Sequence, residues 1–419
     1  MKPVRRVLFW LHLFAGCVAG VVILIMSITG AILAFERQFK AHMDAPAVLQ
    51  GKADTSQQLP LDSVLAILNG NGQGIPTELV LREQAGAPIE ARYGRSGTLF
   101  LNPWTAEIIG QPSEGTEHFF STVERFHRSL GLGMQSAFGR GITGAGNLVF
   151  LVLLISGMYL WLPKVFNPAS LRNRLTLRGT LRGRAREWNW HSVIGIWTAV
   201  PLLFIVITGI IISYPWASNL LYKMTGSQPQ TRGRRGEVRS HPAPNRDGSS
   251  SPLVQFRSLN DIALFVKQQV PGWNSITIDL PESQARTVNV SIDTSVGGQP
   301  EKASQLVINR QSGRIETVKR FTDSNLGSKL RAWARFTHTG EEFGLVGETI
   351  AALACLGAVM LVWTGFSMAI RRALRSIARS KKTASTVPKL KPELAAVTSS
   401  MRQSTLLSQY ETGTEQCAG

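Results

Sequence analysis

The stretch HLFAGCVAGVVILIMSITG, His12 to Gly30, returns in outline as HSVIGIWTAVPLLFIVITG, His191 to Gly209. Each opens on a histidine, runs through apolar residues and closes on Ile-Thr-Gly, with the Gly 18 positions after the His. Eighteen positions make five helical turns, so His and Gly share one face about 27 Å apart, roughly the hydrocarbon depth of a bilayer. An ionisable ring repeated at one depth, on a face that also carries a small packing residue, predicts a ligand pair inside a helical bundle.

Working outward, four apolar blocks are long enough to span a membrane: Val7 to Phe35, Ile142 to Leu162, Val193 to Tyr214 and Leu345 to Ile370. The first has the basic flank of a secretory signal, but it is longer than a signal's apolar region and lacks a small-residue cleavage site. It reads as a retained helix. The fold class expected is an α-helical membrane protein with four transmembrane helices from two tandem halves.

Formal charge is +18, yet its distribution argues against nucleic acid as a partner. The connection from Lys164 to Glu187 holds seven basic residues against one acid, and Arg371 to Lys382 is basic as well. By the positive-inside rule both are cytoplasmic, as is the N-terminus, which makes the lipid bilayer the first partner. The connections between the other block ends then lie outside, in the periplasm of a bacterial inner membrane. Cys17, Cys355 and Cys417 cannot form a disulfide framework, and no Cys-x-x-Cys-His occurs for covalent haem.

The expected order is a spanning helix in 1–36, an outer α+β module in 37–140, a second helix in 141–163 and a basic cytoplasmic loop in 164–190. It repeats as a helix in 191–214, a linker and module in 215–343 and a helix in 344–370, before a basic, disordered tail in 371–419. In the first module a helix near Leu61 to Leu68 precedes strands at 78–81, 89–93, 98–101 and 106–109. In the second a helix near Leu259 to Val270 precedes strands at 275–280, 287–292, 305–308 and 314–318. The stretch 226–252, rich in Gly, Pro, Ser and Arg, reads as a disordered linker.

The repeat extends to Arg125-Phe126-His127 and Arg335-Phe336-Thr337-His338, each before a spanning block, and to Ser156-Gly157 and Thr364-Gly365 late in those blocks. His12 and His191 therefore fall near the inner face, and His127 and His338 near the outer. The outer pair needs short interfacial helices folded back toward the bundle, because His338 to Gly365 as one helix, about 40 Å, exceeds the bilayer. His42 and His118 are alternatives for an outer ligand; His241 falls in the linker. Neutral imidazole suits axial ligation of haem iron, so the four histidines predict two b-type haems at two depths. Arg6, Arg125, Arg128, Arg331 and Arg335 are candidate partners for haem propionates. No dinucleotide fingerprint or phosphate loop is present, so the electron donor is another molecule.

These residues resemble the PepSY-associated transmembrane family. The likeness rests on Trp10-Leu11-His12, Phe126-His127-Arg128-Ser129-Leu130-Gly131, Trp190-His191 with Ile207-Thr208-Gly209, and the module at 259–320. The resemblance implies an inner-membrane protein with periplasmic PepSY-like modules, some members being haem-bearing reductases that release iron from ferric siderophores. Together these readings predict a haem-dependent ferric reductase in iron acquisition, its acceptor a ferric siderophore or similar complex. A homodimer is compatible with this reading. The rivals are a PepSY-containing sensor that binds peptides or proteases, and a permease for an iron complex.

Overall fold

The computed structural model describes residues 3–50, 58–84, 86–163, 166–229, 257–280, 285–295 and 297–385. Among the described residues, four helices are long and apolar enough to cross a bilayer. In chain order the helices are α1 (Pro3–Leu33), α2 (Glu36–Gln50), α3 (Leu61–Gly70), α4 (Glu114–Ser129), α5 (Ala137–Trp161) and α6 (Pro168–Leu175). They continue as α7 (Gly183–Ser213), α8 (Pro215–Met224), α9 (Leu259–Gln269), α10 (Leu326–Thr339) and α11 (Gly344–Ser385). The spanning helices are α1, α5, α7 and α11.

Their packing follows from small residues on the buried faces. A Cβ added at Gly146 of α5 would stand 2.7 Å from Val22 of α1, and one at Gly357 of α11 2.4 Å from Thr198 of α7. Where no hydrophobic force separates helix from lipid, such close backbone approach is what holds helices together. The outward faces carry Phe14, Val18, Trp197, Leu353 and Trp363, all exposed, as lipid contact requires.

The strands are β1 (Glu78–Arg82), β2 (Ile89–Arg92), β3 (Thr98–Leu101), β4 (Ile108–Gly110), β5 (Ser275–Asp279), β6 (Thr287–Asp293), β7 (Ala303–Asn309) and β8 (Ile315–Arg320). Sequence patterning anticipates all eight to within a few residues, but as two separate modules. The structure joins them into one antiparallel sheet of order β4-β3-β2-β1-β5-β6-β7-β8. The joint is β1 against β5, with Val80 opposite Thr277 and Arg82 opposite Ser275. Leu79, Ile276, Ile278 and Val290 of the sheet and Val64 and Val266 of α3 and α9 are wholly buried in one shared core. Asp62 of α3 seals the union, accepting the backbone N–H groups of Leu259 (3.2 Å) and Asn260 (3.1 Å) at the start of α9. Each half alone would leave a strand edge unpaired, and pairing edge to edge removes both.

A second correction concerns the region after residue 370, expected as a disordered tail. Helix α11 continues to Ser385. Residues 371–385 hold Ala, Leu, Arg and Lys with neither Gly nor Pro, so helix propagates past the apolar stretch. The remainder of the tail, most of the 226–252 linker and His241 lie outside the described residues.

Candidate functional site

Every one of the four repeated histidines rests on a Ser-Gly or Thr-Gly step of another helix. His12 of α1 places Nδ1 2.8 Å from Ser156 Oγ of α5, and His127 of α4 places Nδ1 2.9 Å from Thr29 Oγ1 of α1. In the second half His191 of α7 stands 2.9 Å from Thr364 Oγ1 of α11, and His338 of α10 stands 2.8 Å from the carbonyl of Ile205 and 3.4 Å from Thr208 Oγ1 of α7. The glycine of each step makes room for the ring. A Cβ at Gly30, Gly157, Gly209 or Gly365 would meet the imidazole Cε1 at 3.3, 3.3, 3.0 or 3.6 Å.

These contacts fix the tautomer. Each hydroxyl gives its proton to the carbonyl four residues back, at 2.6–2.7 Å: Ser156 to Val152, Thr29 to Ile25, Thr364 to Met360 and Thr208 to Phe204. The hydroxyl oxygen is therefore the acceptor and histidine Nδ1–H the donor. For His338 the Ile205 carbonyl can only accept, which gives the same answer. With the proton on Nδ1, the Nε2 lone pair is free for a metal, the arrangement that a hydrogen-bonded second shell imposes on ligating histidines.

The seats bring the rings together across the halves. The centroids of His12 and His191 are 6.5 Å apart, with planes at 87°. Those of His127 and His338 are 6.3 Å apart, at 60°. An imidazole bound at about 2 Å has its centroid about 3 Å from the metal, so two rings on opposite sides of one ion stand about 6 Å apart. Both pairs match that spacing. Thr29 lies 17 residues beyond His12 on α1, so the pairs are separated by about 25 Å along the helix. No group of three or more His, Cys, Asp or Glu suited to a metal ion occurs among the described residues. A site with two protein donors suits an ion whose other ligands come with a prosthetic group.

His127 and His338, the pair at the sheet end of the bundle, ride on short helices, as the spacing requires. Helix α4 packs on α1 and α10 on α7. Leu130 (φ 52°) and Gly131 (φ 79°) turn the chain from α4 toward α5, and Gly340 (φ 84°) turns it from α10 toward α11. Burial and the neighbouring His338 ring push His127 down to about 4, and burial lowers His338 as well. Both shifts favour the neutral imidazole.

The other candidates fall elsewhere. His42 and His118 are exposed and take no part in either pair. Arg125 donates to Thr122 at 2.7 Å, Arg128 pairs with Glu124 at 2.8 Å, Arg335 lies over Phe336, and Arg6 is exposed. Two features escape sequence reasoning. Glu348, 1 % exposed, is held by Arg37 at 3.1 Å and by Gln38, and ties the start of α11 to the start of α2. Around the sheet-end pair the twofold repeat breaks: Cys355 approaches Gly30, whereas Asn147 approaches Gly209 and donates to the Val206 carbonyl at 3.1 Å. The first could have been suspected from a lone acid in an apolar block; the second needs the helix register.

A model of the PepSY-associated TM region matches residues 9–372. The chain belongs to this family. The match covers both histidine pairs and the whole sheet. No curated protein matches the chain.

Proposed function

We propose that this PepSY-associated membrane protein is a b-type haem protein of the bacterial inner membrane, with one haem held by His12 and His191 and a second by His127 and His338. Haem bound there would supply one-electron chemistry at two depths; the donor would be a cytoplasmic molecule or a quinol at the basic end, and the acceptor a periplasmic ferric complex, such as a ferric siderophore, at the sheet end. The single observation that carries this reading is the set of four seats: every Nδ1–H donates to another helix, while the two rings of each pair stand 6.3–6.5 Å apart, a gap that would admit one ion.

The chain's own work is positional. Ser156, Thr29, Thr364 and Ile205 hold a proton on Nδ1 and stop the rings turning, which lowers the reorganisation needed to keep two ligands on one ion. The glycines let each ring lie against a helix backbone. Apolar helices around the pairs exclude water and so raise the weight of every local charge. Reducing iron(III) to iron(II) weakens its hold on hard oxygen chelators, and release of the metal follows.

The test is substitution of each ligand in turn. His12→Ala and His191→Ala should each remove one of about two haems per chain and leave the other, and His127→Ala and His338→Ala should do the same for the second site. Ferric reduction should fall to background in all four. Unchanged haem content across the four variants would refute the assignment.

A further inference from the structure

The basic end carries more structure than topology demands. Six arginines and one glutamate lie between Phe166 and Glu187. Positive-inside sorting and attraction to anionic lipid need that charge near the interface but need no fixed arrangement of it. Here the arrangement is fixed. Asn189 of α7, 1 % exposed, accepts the Arg178 backbone N–H at 3.0 Å and donates to the carbonyls of Asn173 and Thr176, each at 3.2 Å. Trp197 Nε1 donates to the Leu175 carbonyl at 3.0 Å, and Arg174 donates to the Trp161 carbonyl while stacking over Trp188 at 5.5 Å. Helix α6 and its flanks are thus bound to the inner ends of α5 and α7. Arg172, Arg178, Arg182, Arg184 and Arg186 remain exposed. Asn189 stands two residues before His191, so this ordered basic platform is built on the helix that supplies a ring of the basic-end pair.

We propose that the platform is the docking surface for an acidic one-electron donor protein. Ordering a polar connection costs conformational entropy, and a diffuse attraction to lipid does not require that order. A partner with its own shape does. Complementary charge would steer it to the site and hold it beside His12 and His191. The donor is oxidised by one electron, which the basic-end site accepts, and no atom is transferred. What the partner delivers rests on the haem reading above; the docking itself does not.

The experiment uses the full-length protein in nanodiscs of phosphatidylcholine alone, with an acidic [2Fe–2S] ferredoxin as probe. Binding is followed by interferometry and electron delivery by stopped-flow absorbance. Wild type should bind the ferredoxin with an affinity that falls steeply with salt. The triple variant Arg172→Gln, Arg178→Gln, Arg182→Gln should bind about 10-fold or more weakly with a flatter salt dependence, while reduction by dithionite is unchanged. Asn189→Ala, which keeps every charge but frees the platform, should weaken binding several-fold as well. Equal binding by all three proteins would overturn the proposal, as would no binding in neutral discs together with enrichment of anionic lipid around the protein. A colourless protein that still binds ferredoxin through these arginines would retire the haem reading and keep the docking surface. A coloured protein reduced by dithionite but indifferent to ferredoxin would do the reverse.

Discussion

Adding one methyl group at two equivalent glycines should have opposite effects. At Gly209 a Cβ would stand 3.0 Å from His338 Cε1, 3.4 Å from its Nδ1 and 3.0 Å from Asn147 Nδ2. His338 cannot withdraw without losing its 2.8 Å bond to the Ile205 carbonyl. Overpacking of this kind costs about 1–3 kcal/mol, and a strained or broken hydrogen bond about 1 kcal/mol more. Against it stands about 0.5–1 kcal/mol gained when alanine replaces a glycine inside a helix. Gly209→Ala should therefore be destabilising by about 1–3 kcal/mol and should deplete the sheet-end haem. At Gly365 the corresponding Cβ meets His191 Cε1 at 3.6 Å, an ordinary contact. Only the helix term remains, so Gly365→Ala should be neutral or slightly stabilising, with both haems retained. Thermal unfolding in detergent, with haem per chain measured on the same samples, reads both effects. If the two variants shift the midpoint alike, or if Gly209→Ala keeps full haem, the seats do not position the rings.

Further predictions concern the second shell and the joints. Ser156→Ala removes the acceptor of His12 Nδ1–H and should weaken haem retention at the basic-end pair by about 10–100-fold, read by transfer of haem to apomyoglobin. Thr364→Val removes the acceptor of His191 Nδ1–H and should weaken the same pair in the same way. Asp62→Ala removes the acceptor of two N–H groups at the start of α9, whose N-cap Ser258 stays in place, and should cost about 0.5–2 kcal/mol, seen as faster proteolysis between the halves with an unchanged haem spectrum. Glu348→Leu leaves Arg37 with only the longer ion pair to Glu341, at 4.0 Å. The loss in thermal stability should be smaller than the about 3–5 kcal/mol of a fully buried pair, since Arg37 is 35 % exposed, and Arg37→Leu in the same chain should restore part of it.

Much of the bundle was legible because its signals are local. Eighteen positions from His to Gly on a helix fix face and depth, and the paired Arg-Phe-His and Arg-Phe-Thr-His contexts locate the second ring pair. What local pattern cannot supply is which surfaces meet. The four Ser-Gly and Thr-Gly steps read as packing sites, and their use as seats for histidines of other helices follows only once α1 and α5, or α7 and α11, are set side by side. Alternation marks β1 and β5 as strands, but nothing in either stretch says that their edges join, so the single sheet reads as two modules. Arg37 and Glu348 are far apart in the chain, and their pairing depends on the turn after α1. Of the arginines proposed for propionates, Arg125 bonds Thr122 and Arg128 pairs with Glu124, contacts within α4 that an i, i+3 or i, i+4 spacing already allows.

The most direct measurement is the absorption spectrum of the purified protein, oxidised and dithionite-reduced, with haem quantified per chain. Two imidazole pairs at axial spacing predict sharp reduced bands of six-coordinate b-type haem at about two per chain. A colourless protein from cells supplied with haem would contradict the account, and would leave four imidazoles that do no more than fasten helices to one another.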